Sequence, residues 1–215
     1  MNLNLWHKYD IPKIDTPTGR KYIVDGEEFT SVTTFLSSFG NEAIETWKQN
    51  IGESAANRIS KLAAVRGTQL HSWIEKFIME GKDEKISPIH INLKRLIKPL
   101  IQRLDEVNLI EAPIYSRTMK LAGTVDCVGV FDGELSVIDF KTSSKPKKKE
   151  WITNYFLQAS IYSYMIDELY GVKIPRINIM IAVENQPVQL FSENRINWRQ
   201  DIKNNLTIWR KQNGK

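Results

Sequence analysis

The chain is 215 residues long, 41% hydrophobic and 26% charged, which suits one substantial soluble domain and leaves little room for two. A formal net charge of +5 and a pI of about 9.2 tilt it mildly toward nucleic acid. Its single cysteine, Cys127, excludes an intramolecular disulfide, a four-cysteine zinc site and a four-cysteine iron–sulfur cluster.

The N-terminus, MNLNLWHKYD, has neither the basic start nor the apolar core of a signal peptide. No apolar run approaches membrane-spanning length. The expected setting is intracellular and reducing, with no membrane. Residues 21–30 read as a hairpin turning at Asp25-Gly26. Residues 31–39 and 41–50 read as short helices, with Trp47 on an apolar side. A long helix is expected over 55–80, where Leu70, Trp73, Ile74, Phe77 and Ile78 follow the helical repeat and Gly81 supplies a stop. A polar loop over 83–92 precedes renewed helical spacing over 92–107, interrupted or kinked by Pro99. Strands are expected near 109–117, 121–131 and 134–142. A helix over 150–170 ends before Gly171, strands near 176–184 and 187–192 follow, and an amphipathic helix over 196–212 closes the chain. Cys127 falls inside an apolar strand and reads as a small buried hydrophobe. This order predicts one α/β domain, with a central mixed sheet flanked by helices and an added N-terminal helical segment.

The stretch from Gly123 to Thr142, GTVDCVGVFDGELSVIDFKT, carries the most chemistry. Asp132-Gly133 is a strong signal for a two-residue hairpin turn. Such a turn sets Phe131 opposite Glu134, Val130 opposite Leu135, and so outward until Asp126 lies opposite Asp139. Directly opposed side chains share a face, with Cβ atoms roughly 4.5–5.5 Å apart. Lys141, two residues beyond Asp139, joins the same face. At an effective dielectric of 20, two unit charges roughly 5 Å apart repel by about 3 kcal/mol. A divalent cation, Mg2+ or Mn2+ in an oxygen-rich site, relieves that repulsion. Lys141 then has a use in phosphodiester hydrolysis: orienting a water or neutralising charge on the phosphorus oxygens. Taken alone, an Asp-x-Lys tripeptide is more often a surface lysine bridging acids; the second acid in register is what weighs toward a site.

The ordered set Gly67-Thr68-x-x-His71-x-x-x-Glu75, Gly123-x-x-Asp126, Asp139-x-Lys141 and Gln158-x-x-x-Tyr162 resembles the RecB-like branch of the PD-(D/E)XK nuclease superfamily. Within it, the chain is most similar to the stand-alone phage and mitochondrial genome maintenance exonucleases. The resemblance runs from about Ser31 to Tyr162 and implies a restriction-endonuclease-like core. Residues 63–192 would be the catalytic core, 1–62 an N-terminal hairpin and helices contributing to a DNA channel, and 193–215 a C-terminal helix. It further implies that His71, Asp126, Asp139 and the Phe140 carbonyl bind metal, that Lys141 is the catalytic lysine, and that Glu111 binds or orients a metal. Gln158 and Tyr162 would contact the phosphate backbone or support the lysine. Thr68 and Glu75 would support the site, and Arg66, Trp47 and Lys48 would help form the channel.

The residues alone leave blander readings open. His71 and Glu75 are helix neighbours that can simply pair, Gln158 and Tyr162 can be the polar rim of a core, and Glu111 can be an exposed strand acid. Lys145, Lys147, Lys148 and Lys149 form a charge run that reads as solvated when taken alone. Its place after Lys141 favours a grip on phosphates. No Walker-type phosphate loop is present, so action without ATP is expected. The function that follows is a metal-dependent DNA exonuclease, a hydrolase preferring single-stranded or end-frayed DNA. It would act in replication, recombination or repair, with replication or recombination proteins as partners, in the cytoplasm of a bacterial or phage-infected cell. The alternatives are a structure-specific endonuclease of the same fold and a non-catalytic DNA-binding module on a nuclease scaffold.

Overall fold

The computed structural model describes residues 1–40 and 42–213. Its centre is a nine-stranded mixed sheet. The N-terminal strands are β1 (Asn2–Leu3), β2 (Lys13–Thr16), β3 (Gly19–Val24) and β4 (Glu27–Ser31). Asp25 and Gly26 both have positive φ, as a type I′ hairpin turn requires. Ser31 ends β4 and caps α1 (Val32–Ser37), its hydroxyl accepting the Thr34 N–H at 3.0 Å. Helices α2 (Glu42–Ile51) and α3 (Glu53–Glu80) follow. α3 stops at Gly81, which takes the left-handed conformation and donates its N–H to the Phe77 carbonyl.

A single 3-10 turn leads into α4 (Ile91–Ile101), which ends two residues after Pro99. The chain then enters β5 (Leu104–Ser116), so residues 104–107 are strand and not the helical continuation that Leu100, Ile101 and Leu104 suggest by spacing. Pro99 lies in the last turn of α4, where its missing N–H removes the bond back to the Arg95 carbonyl and weakens the helix end. Leu104 and Val107 pair instead with Phe131 and Gly129 across a bulged ladder.

Strands β6 (Leu121–Phe131) and β7 (Glu134–Ser143) form the expected hairpin, in register from Phe131 opposite Glu134 to Cys127 opposite Ile138. Helix α5 (Thr153–Tyr170), strands β8 (Arg176–Val183) and β9 (Gln189–Asn194), and helix α6 (Arg199–Gln212) complete the chain. Helices α3 and α4 cover one sheet face, where Trp73, Ile74, Leu93 and Ile97 pack on Cys127, Ile138, Phe140 and Met180. Helices α1, α5 and α6 cover the other, where Phe35, Phe156, Ile161 and Trp209 pack on Val125, Val137 and Ile179. Among the described residues no helix is long and apolar enough to cross a membrane.

One feature of this sheet positions the site. β6 pairs with β5 along its whole length. Its other edge is shared: β7 takes residues 127–131 and β4 takes 121–122. Residues 123–126 fall between these partners. β7 leaves β6 at this level and continues in parallel with β8. The sheet therefore opens into a cleft at Asp126.

The bulge in β5 brings the Glu106 carbonyl so close to Gly129 that a Cβ there would lie 2.3 Å from it. Overpacking of this kind costs about 1–3 kcal/mol. Gly129→Ala is expected to lower the unfolding free energy by that amount, read as a fall in denaturant midpoint at unchanged slope, and an unchanged midpoint would mean that the bulge relaxes freely.

Candidate active site

Three strands deliver carboxylates to the cleft. In β5 the alternation of faces breaks at Glu111: Leu109 and Ala112, three apart, both face the α5 layer, while Ile110 faces α3 and α4. The break has a local cause, a left-handed backbone at Glu111 with φ of 43°. That conformation is strained for a residue with a Cβ and is concentrated at functional positions. β6 breaks its alternation at the same level, with Val125 and Val128 on one side and Cys127 on the other. Glu111 and Asp126 thus meet where both strands twist. Asp126 Oδ2 accepts the Phe140 N–H at 2.8 Å, so a side chain closes the hairpin where backbone pairing ends.

His71, from the middle of α3, reaches into this point. Its Nδ1 lies 2.9 Å from Glu111 Oε1 and 3.7 Å from Asp126 Oδ1, and its Nε2 lies 2.8 Å from the Phe140 carbonyl. Ligand atoms of His71, Glu111 and Asp126 all lie within 4.8 Å of one another. Asp139 and Lys141 project from β7 beside them, with Lys141 Nζ donating to Asp139 Oδ1 at 2.5 Å. The other oxygen of Asp139 is buried and has no hydrogen-bond partner. A buried acceptor of this kind is costly unless something binds it.

The charges respond to this crowding. Burial, with Asp126 adding to it and Lys141 opposing, pushes Asp139 up to about 6. Burial likewise raises Asp126, against the pull of His71 and Lys141. Burial alone would lower His71, but Asp126 and Glu111 outweigh it and hold the imidazole near 9. Lys141 follows the same logic: burial opposes its charge, while Asp139 and Asp126 raise its pKa. Without a bound cation the three acids are therefore only partly offset by an imidazolium and an ammonium. The donor set, one imidazole with carboxylates and a carbonyl, suits a hard or borderline divalent ion.

The remaining predicted residues are spread around this centre. Thr68, Glu75 and Gly67 line a shallow pocket with His71, Ser72, Glu111 and Lys13. Arg66 is turned toward the sheet, donating to Thr142 Oγ1 at 3.1 Å and pairing with Glu184. Gln158 donates to the Tyr162 hydroxyl at 3.3 Å. Tyr162 is itself buried over Gly123, where a Cβ would stand 2.7 Å from its ring. That contact explains the glycine of the Gly-x-x-Asp motif. The loop after β7 is pinned, since Lys147 exchanges hydrogen bonds with Gln189 and the Ser143 hydroxyl donates to the Lys145 carbonyl. Lys149 pairs with Glu193, while Lys145 and Lys148 are exposed. Trp47 is partly exposed on α2, with Lys48 paired to Glu45.

Two residues at the site escape the motif reading. Tyr155 places its ring 5.2 Å from Lys141 Nζ. It stands three residues before Gln158 on α5, and that spacing was its available signal. Lys13 comes from β2, and no local pattern marks it.

Residues 92–187 match the PD-(D/E)XK nuclease superfamily. This segment, somewhat under half of the chain, resembles a PD-(D/E)XK nuclease domain and contains Glu111, Asp126, Asp139, Lys141, Gln158 and Tyr162, whereas His71 reaches the site from α3, outside it. The chain is also similar to Mitochondrial genome maintenance exonuclease 1 of Homo sapiens, 26% identical over 113 residues covering 48% of this chain and 32% of that protein. The Xenopus tropicalis protein of the same name is 28% identical over 151 residues, 65% of this chain and 43% of that one. The chain thus spans less than half the length of these relatives. Among solved structures, a candidate exonuclease from Eubacterium rectale is similar at a TM-score of 0.47 and 13% identity, covering 71% of this chain and 68% of that one.

Removing one partner of a buried ion pair strands the other, at about 3–5 kcal/mol. In chelator, Lys141→Ala is expected to lower stability by that order. The near-isosteric Asp139→Asn also eases repulsion with Asp126 and should lose much less. Paired thermal melts read the difference, and an equal loss in both variants would contradict this account of the pair.

Proposed function

We propose that this nuclease domain is a divalent-metal-dependent deoxyribonuclease acting as an exonuclease on single-stranded or end-frayed DNA. The observation that carries the metal dependence is the unpartnered, buried Asp139 oxygen beside the His71, Glu111 and Asp126 cluster. Asp126, Asp139, Glu111, His71 and the Phe140 carbonyl are the groups that would hold Mg2+ or Mn2+. When bound, such an ion supplies Lewis acidity toward a phosphate oxygen and lowers the pKa of a coordinated water.

The chain's own groups do the rest. Lys141, fixed between Asp139 and the Tyr155 ring, offers an ammonium at a set position, where it orients a water or offsets charge growing on the phosphorus oxygens. Glu111 and Asp126 hold His71 through Nδ1, and the Phe140 carbonyl holds it through Nε2. Gln158 and Tyr162 pack the wall behind the acids. Glu75 and Thr68 line the mouth. Lys145, Lys147 and Lys148 follow the catalytic strand and would bind phosphates on the way in, with Arg66 fixing the ends of β7 and β8. In this reading the described residues act as one unit, residues 1–40 and 42–62 bordering the DNA path and 193–213 packing behind the sheet. Its partners beyond DNA would be proteins of replication or recombination.

With Mg2+ or Mn2+, linear single-stranded DNA is expected to be degraded and covalently closed single-stranded circles to survive. Circles cut as fast as linear strands would favour the endonuclease reading. Asp139→Ala and Lys141→Ala are expected to abolish cleavage, by about a thousandfold or more for a group acting on transition-state charge, while gel-shift affinity for DNA persists. Wild-type protein that leaves every DNA substrate intact with either metal would point to a binding module instead.

A further inference from the structure

Trp151 is the most exposed of the six tryptophans, at 63%. It ends the single 3-10 turn Lys149–Trp151, immediately before α5. Among the described residues no aromatic ring stacks on it, and the Lys148 ammonium stands 5.3 Å from its centroid. Packing therefore does not account for it. The backbone beneath it is nonetheless firmly held. Its N–H donates to the Lys148 carbonyl at 3.0 Å, Ile152 beside it is buried in the core, and Lys147 is tied twice to Gln189 on β9. The Tyr155 N–H donates to the Ile152 carbonyl at 2.9 Å, and the Tyr155 ring contacts Lys141. An exposed indole on a rigid turn thus stands four residues before Tyr155, whose ring contacts Lys141, and at the end of a run of lysines.

We propose that Trp151 is a nucleobase-stacking subsite, holding one unpaired base of the DNA strand as it enters the cleft. This rests on the reading of the cleft as a nuclease site for single-stranded DNA. A stacking face accepts any base, because every base has a π-face, and it demands that the base be unpaired. The neighbouring lysines supply the backbone attraction. Trp151 thereby selects single strands over duplex without reading sequence.

The test uses the full chain in chelator, so that no cleavage occurs, with three end-labelled probes: an oligothymidylate, an abasic strand of equal length, and a blunt duplex. Trp151→Ala is expected to weaken oligothymidylate binding about tenfold, within the range for loss of one stacked base. It should leave the abasic strand and duplex unchanged, along with the melting midpoint and the salt dependence. Trp151→Phe should retain most of the affinity. Unchanged binding of oligothymidylate, or an equal loss on the abasic strand, overturns the proposal. A parallel cleavage assay of the wild type with Mg2+ or Mn2+ separates the two readings. Base-dependent binding without cleavage sinks the nuclease reading alone, and cleavage without base dependence sinks the stacking subsite alone.

Discussion

Three carboxylates, Glu111, Asp126 and Asp139, converge where β6 changes partners, and their mutual repulsion in a poorly hydrated cleft is the constraint around which the rest of the molecule is arranged. Asp126 and Asp139 are almost fully buried, at 7% and 1% exposure. Charges so placed persist only when paired or bound. Here the compensation comes from two directions. His71 arrives from the helix layer on one sheet face, and Lys141 from the strand that carries Asp139. One Asp139 oxygen is left without a partner. A fold built for stability alone would not retain it, whereas a site that binds a cation gains from it.

The scaffold holds these groups with backbone devices as much as with side chains. The left-handed Glu111, the bulges early in β5 and the switch of faces in β6 all occur in one pair of strands. Each departs from a regular ladder, and the two at Glu111 and Asp126 turn acids into the cleft. Gly123 and Gly129 make close approaches possible, the first to the Tyr162 ring and the second to the Glu106 carbonyl. The apolar layers on both faces, anchored by residues such as Trp73, Phe140, Phe156 and Trp209, provide the rigidity that keeps strained positions strained.

Much of this is legible in the sequence. Asp132-Gly133 dictated the hairpin turn, and the register followed from it for five consecutive pairs. Gly81 and Gly171 marked helix ends, because both needed the left-handed conformation that glycine adopts readily. Residues 104–107 are ambiguous in the sequence, because leucine spacing there fits a helix and a bulged strand equally well, and pairing with β6 decides between them. The strands at 2–3 and 13–16 carried no periodicity long enough to detect. Tyr155 and Lys13 were missed for a related reason: their importance lies in what they face, which no motif spacing encodes.

The sequence by itself determined the order of elements, the hairpin register and the presence of two aspartates and a lysine near one another, since local turn geometry and the two-residue strand period are properties of neighbouring residues. Only the tertiary structure decided that β7 parts from β6 at Asp126, that Glu111 and His71 meet there from a different strand and a distant helix, and that Arg66 turns inward to Glu184. Those outcomes depend on contacts between segments tens of residues apart. Sheet twist, layer packing and the competition of β4 and β7 for one strand edge fix them, and none of these is written in any short stretch of the chain.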